Sequence, residues 1–282
     1  HQRICEALHD TELTSLDDAA RLQADVISLP ARRICGLLAR LRDGQPTDSP
    51  LWTGPVGEVV EALTTWDARA TADSTAAGFF EAWFRGPLRR ALLSAKLREL
   101  GVRDVPQALD AIDHTAHEQL TGDARTDVQL FEECFRDEPM LLAAIVAATI
   151  AEQWRRDADQ PISPGERQRT WFRHVAEDPE DPGWSLAPVP RGGTPDTVDV
   201  VARDAAGCQT VGASVRLLID VGAWDSSRAV NAPGQSAVPG SDHYGDLVEL
   251  WAAGQHFPLC YSSDAVAAVT SESLRLVPGS TS

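Results

Sequence analysis

The sequence predicts an α+β protein: a mostly helical segment over residues 1–180, followed by a β-rich segment with one or two helices over residues 181–282. Three observations carry that prediction. Apolar residues recur at helical spacing through most of the first 175 positions, as in Phe80, Trp83, Phe84, Leu88, Ala91, Leu92 and Ala95. The texture then changes at Asp178-Pro-Glu-Asp-Pro-Gly-Trp184 and Ala187-Pro-Val-Pro-Arg-Gly-Gly193, two stretches dense in residues that break regular structure. Beyond them, short runs of β-branched and apolar residues take over.

The elements follow in order. Ser15, with Asp18 three positions on, starts a capped helix running to Leu29. Pro30 breaks or kinks it, and a second helix covers Ala31 to Arg42. Asp43 to Pro55 reads as a loop, and Val56 to Trp66 as a short helix with Val59, Leu63 and Trp66 on one face. Ser74 to Leu100 is a long helix bent at Gly86-Pro87. Helices at 106–120, 139–157 and 164–175 follow, and the run from Met140 to Ile150 reads as a buried helix, apolar almost all round. Strands are expected at 197–202, 211–221, 226–232 and 273–277, with one helix at His243 to Ala253. Leu217-Leu-Ile219 and Leu259 to Tyr261 lack clean alternation, the pattern of strands covered on both faces.

Composition excludes several classes. With 43% hydrophobic residues and eight tryptophans, the 282 residues can bury roughly three-quarters of their unfolded surface in one large or two ordinary domains. Forty-two acidic against 25 basic residues give a net charge of −17, the opposite of what tracking a phosphate backbone needs, so nucleic acid is not an expected partner. Lys96 is the only lysine. No apolar run reaches the ~18–20 residues of a membrane span. Five cysteines (Cys5, Cys35, Cys134, Cys208, Cys260), scattered and without CxxC spacing, describe neither a disulfide framework nor a zinc site.

Local motifs assemble no active site by themselves. Gly212-Ala-Ser214-Val-Arg216 resembles a nucleophile elbow, but Arg216 stands where that strained turn needs glycine, so Ser214 and Arg216 read as polar members of a strand. His114 and His117, the latter followed by Glu118, lie three apart, whereas zinc proteases place their histidines four apart with glutamate next to the first; no third ligand is evident, and the pair reads as a solvated helix face. Asp242-His243 beside Ser236 and Ser241 invites a Ser/His/Asp reading, yet His243 after a Gly-containing turn reads as a hydrogen-bonding anchor. Asp220 and Asp225 are too sparse for a calcium loop and read as turn residues.

The order of segments says more. Trp66-Asp67, Asp73-Ser74 and Glu81-Ala-Trp83 are followed by Gly192-Gly-Thr-Pro-Asp-Thr197, then Gly212 to Arg216 and Asp220-Val-Gly222. Pro233-Gly-Gln-Ser-Ala237, Ser241-Asp-His-Tyr-Gly-Asp246 and Trp251-Ala-Ala-Gly254 close the series. This succession resembles the C-terminal part of the β chain of penicillin amidase (penicillin acylase) family enzymes, with Ala237 where the family usually has glycine.

The resemblance implies an N-terminal nucleophile (Ntn) hydrolase. A β-chain serine freed by self-cleavage attacks the substrate, its own α-amino group acts as base, and backbone and asparagine donors hold the oxyanion. That serine matches no position here, so the expectation is a C-terminal fragment, inactive alone, of a parent that hydrolyses N-acyl compounds such as β-lactam side chains or N-acyl homoserine lactones. The alternative is a non-catalytic structural or binding module of the same fold. Among catalytic-region residues only Arg3 carries over, in a supporting role. No cofactor or metal is expected in this chain, since calcium, where family members bind it, is held by upstream segments. The resemblance also implies a knob-like helical subdomain ahead of strands that join an αββα core. Expected partners are the α chain and the N-terminal half of the β chain, or a compensating oligomer, with a small acyl-amide substrate for the parent. The parent is expected in the periplasm or outside the cell.

Overall fold

The computed structural model describes residues 1–10, 15–46, 53–118, 124–158, 160–177, 180 and 183–277. The chain divides into two compact units, residues 1–7 with 25–212 and residues 8–24 with 213–282. It is a mixture of helices and small antiparallel sheets, the α+β class the sequence predicts.

Helix α1 (Gln2–Asp10) opens the chain. The first unit then builds α3 (Leu29–Asp43), α4 (Gly54–Thr65), α5 (Thr75–Trp83), a π-helical turn (Phe84–Leu88), α6 (Arg89–Glu99), α7 (Val105–Glu118), α8 (Ala124–Asp137), α9 (Pro139–Arg156) and α10 (Pro164–Arg167). Side-chain caps fix several starts: Ser28 Oγ accepts from Ala31 N, and Ser74 Oγ from Ala77 N. The long helix expected over 74–100 does bend at Gly86-Pro87; Gly86 leaves helical geometry (φ −104°, ψ −106°), giving the π turn between α5 and α6. Ile34, Leu38, Leu63, Phe80, Trp83, Phe84, Leu88, Phe131, Leu142 and Ile150 form the core of this unit. Phe80 stacks on Phe84 with centroids 5.2 Å apart, and the Trp83 indole donates to Thr149 Oγ1 at 2.9 Å, so the aromatic stripe is core packing. Each such side chain contributes about 1.5–3 kcal/mol by burial.

Two short sheets complete this unit. Strand β1 (Arg169–Thr170) pairs with β2 (Val189–Pro190), and β3 (Ala202–Arg203) with β4 (Gln209–Val211) across an irregular register. The second unit contains α2 (Leu16–Gln23), whose Ser15–Asp18 capping box is formed as expected. It also holds a three-stranded antiparallel sheet of β5 (Val215–Leu218), β6 (Arg228–Asn231) and β7 (Phe257–Pro258), with α11 (Val248–Ala252) and α12 (Ser263–Val269).

Several elements depart from the sequence expectation. Helix α2 stops at Gln23 because residues 26–28 turn aside to pair with 68–70: Ser28 N donates to Ala68 O and Ala70 N to Val26 O, both at 2.9 Å. The helix expected over 164–175 ends at Arg167, since the chain extends at Gln168 to enter β1. The strand expected at 197–202 shrinks to Ala202–Arg203, because the Thr197 hydroxyl bonds local backbone in a turn. The strand expected over 211–221 divides into β4 and β5, and residues 273–277 form no strand. The helix expected from His243 begins only at Val248, as His243 O accepts from Gln235 N and Ser236 N. Strand β5 alternates: Leu218 is 4% exposed but Leu217 is 50%, so it is not covered on both faces. Met140 and Leu141 at the start of α9 are likewise exposed. Residues 119–120 of the expected helix, 47–52 of the expected loop, and 178–179 and 181–182 of the breaker stretch lie outside the described residues. The sequence predicts no helix at α1 or α8, and α11 and α12 are the two α-helices among the described residues beyond 181, within the one or two expected there.

Candidate functional site

Arg3 lies on the first turn of α1, and its guanidinium is gripped by Asp25, 22 residues away. Arg3 Nε and Nη2 both donate to Asp25 Oδ2, at 2.9 and 2.8 Å. The Asp25 side chain is only 8% exposed and that of Arg3 20%. Asp25 is itself held from two directions, for its Oδ1 accepts from Ile27 N at 2.7 Å and its carbonyl from Asp199 N at 2.9 Å. Glu6 Oε2 stands 3.7 Å from Arg3 Nη1 and 3.6 Å from Arg32 Nη1. With Nε and Nη2 committed to one carboxylate, Nη1 remains the guanidinium edge that can meet another oxygen. Such a fixed cation can orient a carbonyl, a carboxylate or a developing oxyanion.

Asp199 is placed by the turn that starts at Gly192. Gly193 adopts φ +81°, and a Cβ there would come within 2.4 Å of Asp199 O, so only glycine fits. Gly193 N donates to Ala70 O at 2.7 Å. Thr197 Oγ1 accepts from Thr194 N at 2.9 Å and lies 2.7 Å from Asp199 O, to which it can donate. The buried Arg191–Asp199 ion pair closes at 3.0 Å, and Gln168 Nε2 donates to the carbonyls of Arg191 (3.1 Å) and Gly193 (2.9 Å).

The helical-region motif residues converge on the same framework. Trp66 Nε1 donates to Arg69 O while Asp67 Oδ1 accepts from Arg69 N, which shapes the 66–70 turn. Glu81 accepts from Arg85 Nε at 2.8 Å, and Arg85 also bonds Asp196 within the Gly192–Thr197 turn. Burial pushes the Glu81 carboxyl above its ordinary value, opposed by the neighbouring Arg85 cation.

The other candidates stay apart. Arg216 is buried, donating to Trp251 O at 3.0 Å with its guanidinium 5.5 Å from the Trp251 ring centroid; Ser214 is exposed, and no elbow exists. His243 Nδ1 meets Asp246 Oδ2 at 2.8 Å on the surface, which raises the imidazole's pKa. Ser236 Oγ accepts from Val238 N and Ser241 Oγ from His243 N, so neither hydroxyl engages the imidazole and no triad forms. Asp225 Oδ1 accepts from Tyr261 N and Ser262 N ahead of α12, and the Asp220 carbonyl closes a turn with Ala223 N, the structural roles expected of both. His114 and His117 fall on α7, but their side chains lie outside the described residues. Among the described residues no group of three or more His, Cys, Asp or Glu side chains could hold a metal ion, and no helix is long and apolar enough to cross a membrane. Asp25, the partner of Arg3, sits in Gln23-Ala-Asp25-Val with no local sequence signal of that pairing.

The family profile described as penicillin amidase matches residues 1–268. The chain belongs to the penicillin amidase family. It is 30% identical, over 98% of its own length, to the penicillin acylase 2 proenzyme of Pseudomonas sp. (strain SE83), covering 35% of that protein. Over 71% of its length it is 26% identical to the acyl-homoserine lactone acylase QuiP of Pseudomonas aeruginosa, covering 26% of it. The chain thus spans about a third or less of the curated relatives it matches.

Proposed function

We propose that this chain is the C-terminal part of a larger acylase that hydrolyses the amide bond of N-acyl compounds, with the nucleophilic serine supplied from outside these 282 residues. The observation that carries this reading is the 30% identity to a penicillin acylase proenzyme along almost the whole chain. In the proposed reaction the serine hydroxyl attacks the acyl carbonyl while the α-amino group of the same serine takes its proton. The tetrahedral oxyanion collapses, the C–N bond breaks and the amine leaves carrying that proton; water then hydrolyses the acyl-serine. Arg3, clamped by Asp25, is the supporting cation this chain brings to the site. Penicillin-type side-chain amides and N-acyl homoserine lactones are both candidate substrates, in keeping with the names of the two relatives.

The partner in this reading is the remainder of the larger polypeptide, completing an Ntn-type core in an exported enzyme. The second unit supplies a surface suited to it. On β5 the apolar side chains of Val215 (51% exposed) and Leu217 (50%), followed by Ile219 (45%), share one open face. The pairing of β5 with β6 runs through Ser214 O and Ala232 N, so the backbone groups of residues 215, 217 and 219 lie along the opposite edge, where Gln23 Nε2 reaches Leu217 O.

The test is an amine-release assay on the full-length parent protein, using a panel of penicillins, N-acyl homoserine lactones and N-acyl nitroanilides. The reading expects turnover by the parent and none by the 282-residue chain alone. Turnover by the chain alone overturns the fragment assignment. A parent that binds the panel without hydrolysing it supports the non-catalytic module instead.

A further inference from the structure

We propose that Asp25 is the positioning residue of this site, fixing the direction in which Arg3 presents Nη1, the nitrogen that Glu6 Oε2 approaches to 3.7 Å. The inference rests on the acylase reading and adds a second residue to it.

The geometry exceeds what a surface ion pair requires. An exposed Arg–carboxylate pair swings freely and contributes little. Here one carboxylate oxygen takes both Nε and Nη2 of Arg3, a shared-acceptor contact on the side-chain edge of the guanidinium. The other oxygen accepts from Ile27 N at 2.7 Å, which restrains the carboxylate. The backbone around Asp25 is pinned in turn: its carbonyl by Asp199 N, Val26 O by Ala70 N, and Ser28 N by Ala68 O. Asp199 is held by Arg191 and by the Gly193 turn, and that turn by Arg85 through Asp196. A series of buried and part-buried polar contacts therefore ends at one cation, and the only guanidinium nitrogen not bonded to Asp25 is Nη1. A group that must meet a reacting or oriented oxygen within a fraction of an ångström needs its guanidinium held in one direction, and this arrangement would hold it.

The experiment is a double-mutant cycle in the full-length parent, with kcat and KM for an acyl amide and the thermal midpoint of each variant. Asp25→Asn is expected to lower kcat by about a hundredfold with KM little changed, the size of loss a misplaced group about 1 Å off produces. Arg3→Ala combined with Asp25→Asn is expected to be no slower than Arg3→Ala alone, because Asp25 acts only through Arg3. Asp25→Glu keeps the charge and displaces the guanidinium by one methylene, so kcat should fall while the thermal midpoint holds. Wild-type kcat in Asp25→Asn or Asp25→Glu, or losses that multiply in the double variant, overturns the positioning role and leaves the acylase reading intact. An inactive wild-type parent overturns both.

Discussion

Gly193 connects backbone geometry to the candidate site. Its positive φ alone costs a residue with a Cβ about 1–2 kcal/mol, and the Asp199 carbonyl 2.4 Å from the virtual Cβ adds a contact that backbone cannot relieve cheaply. Gly101 supplies the control, with a similar φ of +75° and nothing within 4 Å. Gly193→Ala is therefore expected to lose at least about 2 kcal/mol and Gly101→Ala about 1 kcal/mol, measured by urea unfolding of each variant. Equal losses at the two positions would mean that the approach to Asp199 contributes nothing. Cys35 carries a different lesson at this scale. Burial pushes its thiol up to about 12, so it behaves as a core side chain rather than a nucleophile.

At the scale of elements, two devices stand out, the π turn that lets Arg85 join α5 to the Gly192–Thr197 turn and the loop around Glu177. In that loop Glu177 Oε1 accepts from Gly183 N, Trp184 N and Ser185 N, while Oε2 takes the Ser185 hydroxyl. These bonds, led by the Ser185 hydroxyl, hold the carboxyl down at about 2 against an ordinary 4.5. A carboxylate whose folded pKa is depressed stabilises the fold fully above its unfolded value and loses that contribution as pH falls through the folded one. Protection of the 183–185 amides against hydrogen exchange should thus decline between pH 4.5 and about 2, and Glu177→Gln should show weakened protection already at pH 7. Unchanged protection in Glu177→Gln would mean the carboxylate does not organise the loop.

For the whole molecule the relevant quantity is apolar surface left open. Val215 and Leu217 lie on an edge strand that carries no lysine or proline to discourage pairing, and Ile219 follows directly after it. The net charge of −17 opposes association in general without protecting that edge. The 282-residue chain by itself is expected to self-associate, and the Val215→Lys/Leu217→Lys double variant to shift it toward monomer in light scattering coupled to size exclusion. The same pair of changes in the parent should impair assembly with the rest of the polypeptide. A monodisperse wild-type monomer would contradict the idea that this face awaits a partner.

The sequence by itself determined the helical first part, the capping box at Ser15, the bend at Gly86-Pro87, the aromatic core around Phe80 and Trp83, and the family, because spacing and motif order are local properties of the chain. It could not set strand lengths. The Thr197–Val201 run has β-forming composition, but the Thr197 hydroxyl competes for the backbone, and the helical run after Pro164 ends because β2 offers Arg169 and Thr170 a partner. Only the tertiary structure decided that Leu217 faces outward, that Arg85 reaches Asp196 across 111 positions, and that Arg3 is held by Asp25 across 22. Periodicity tells which side chains share a face of one element. Which carboxylate meets which guanidinium depends on how separate elements pack, and packing is a property of the folded whole.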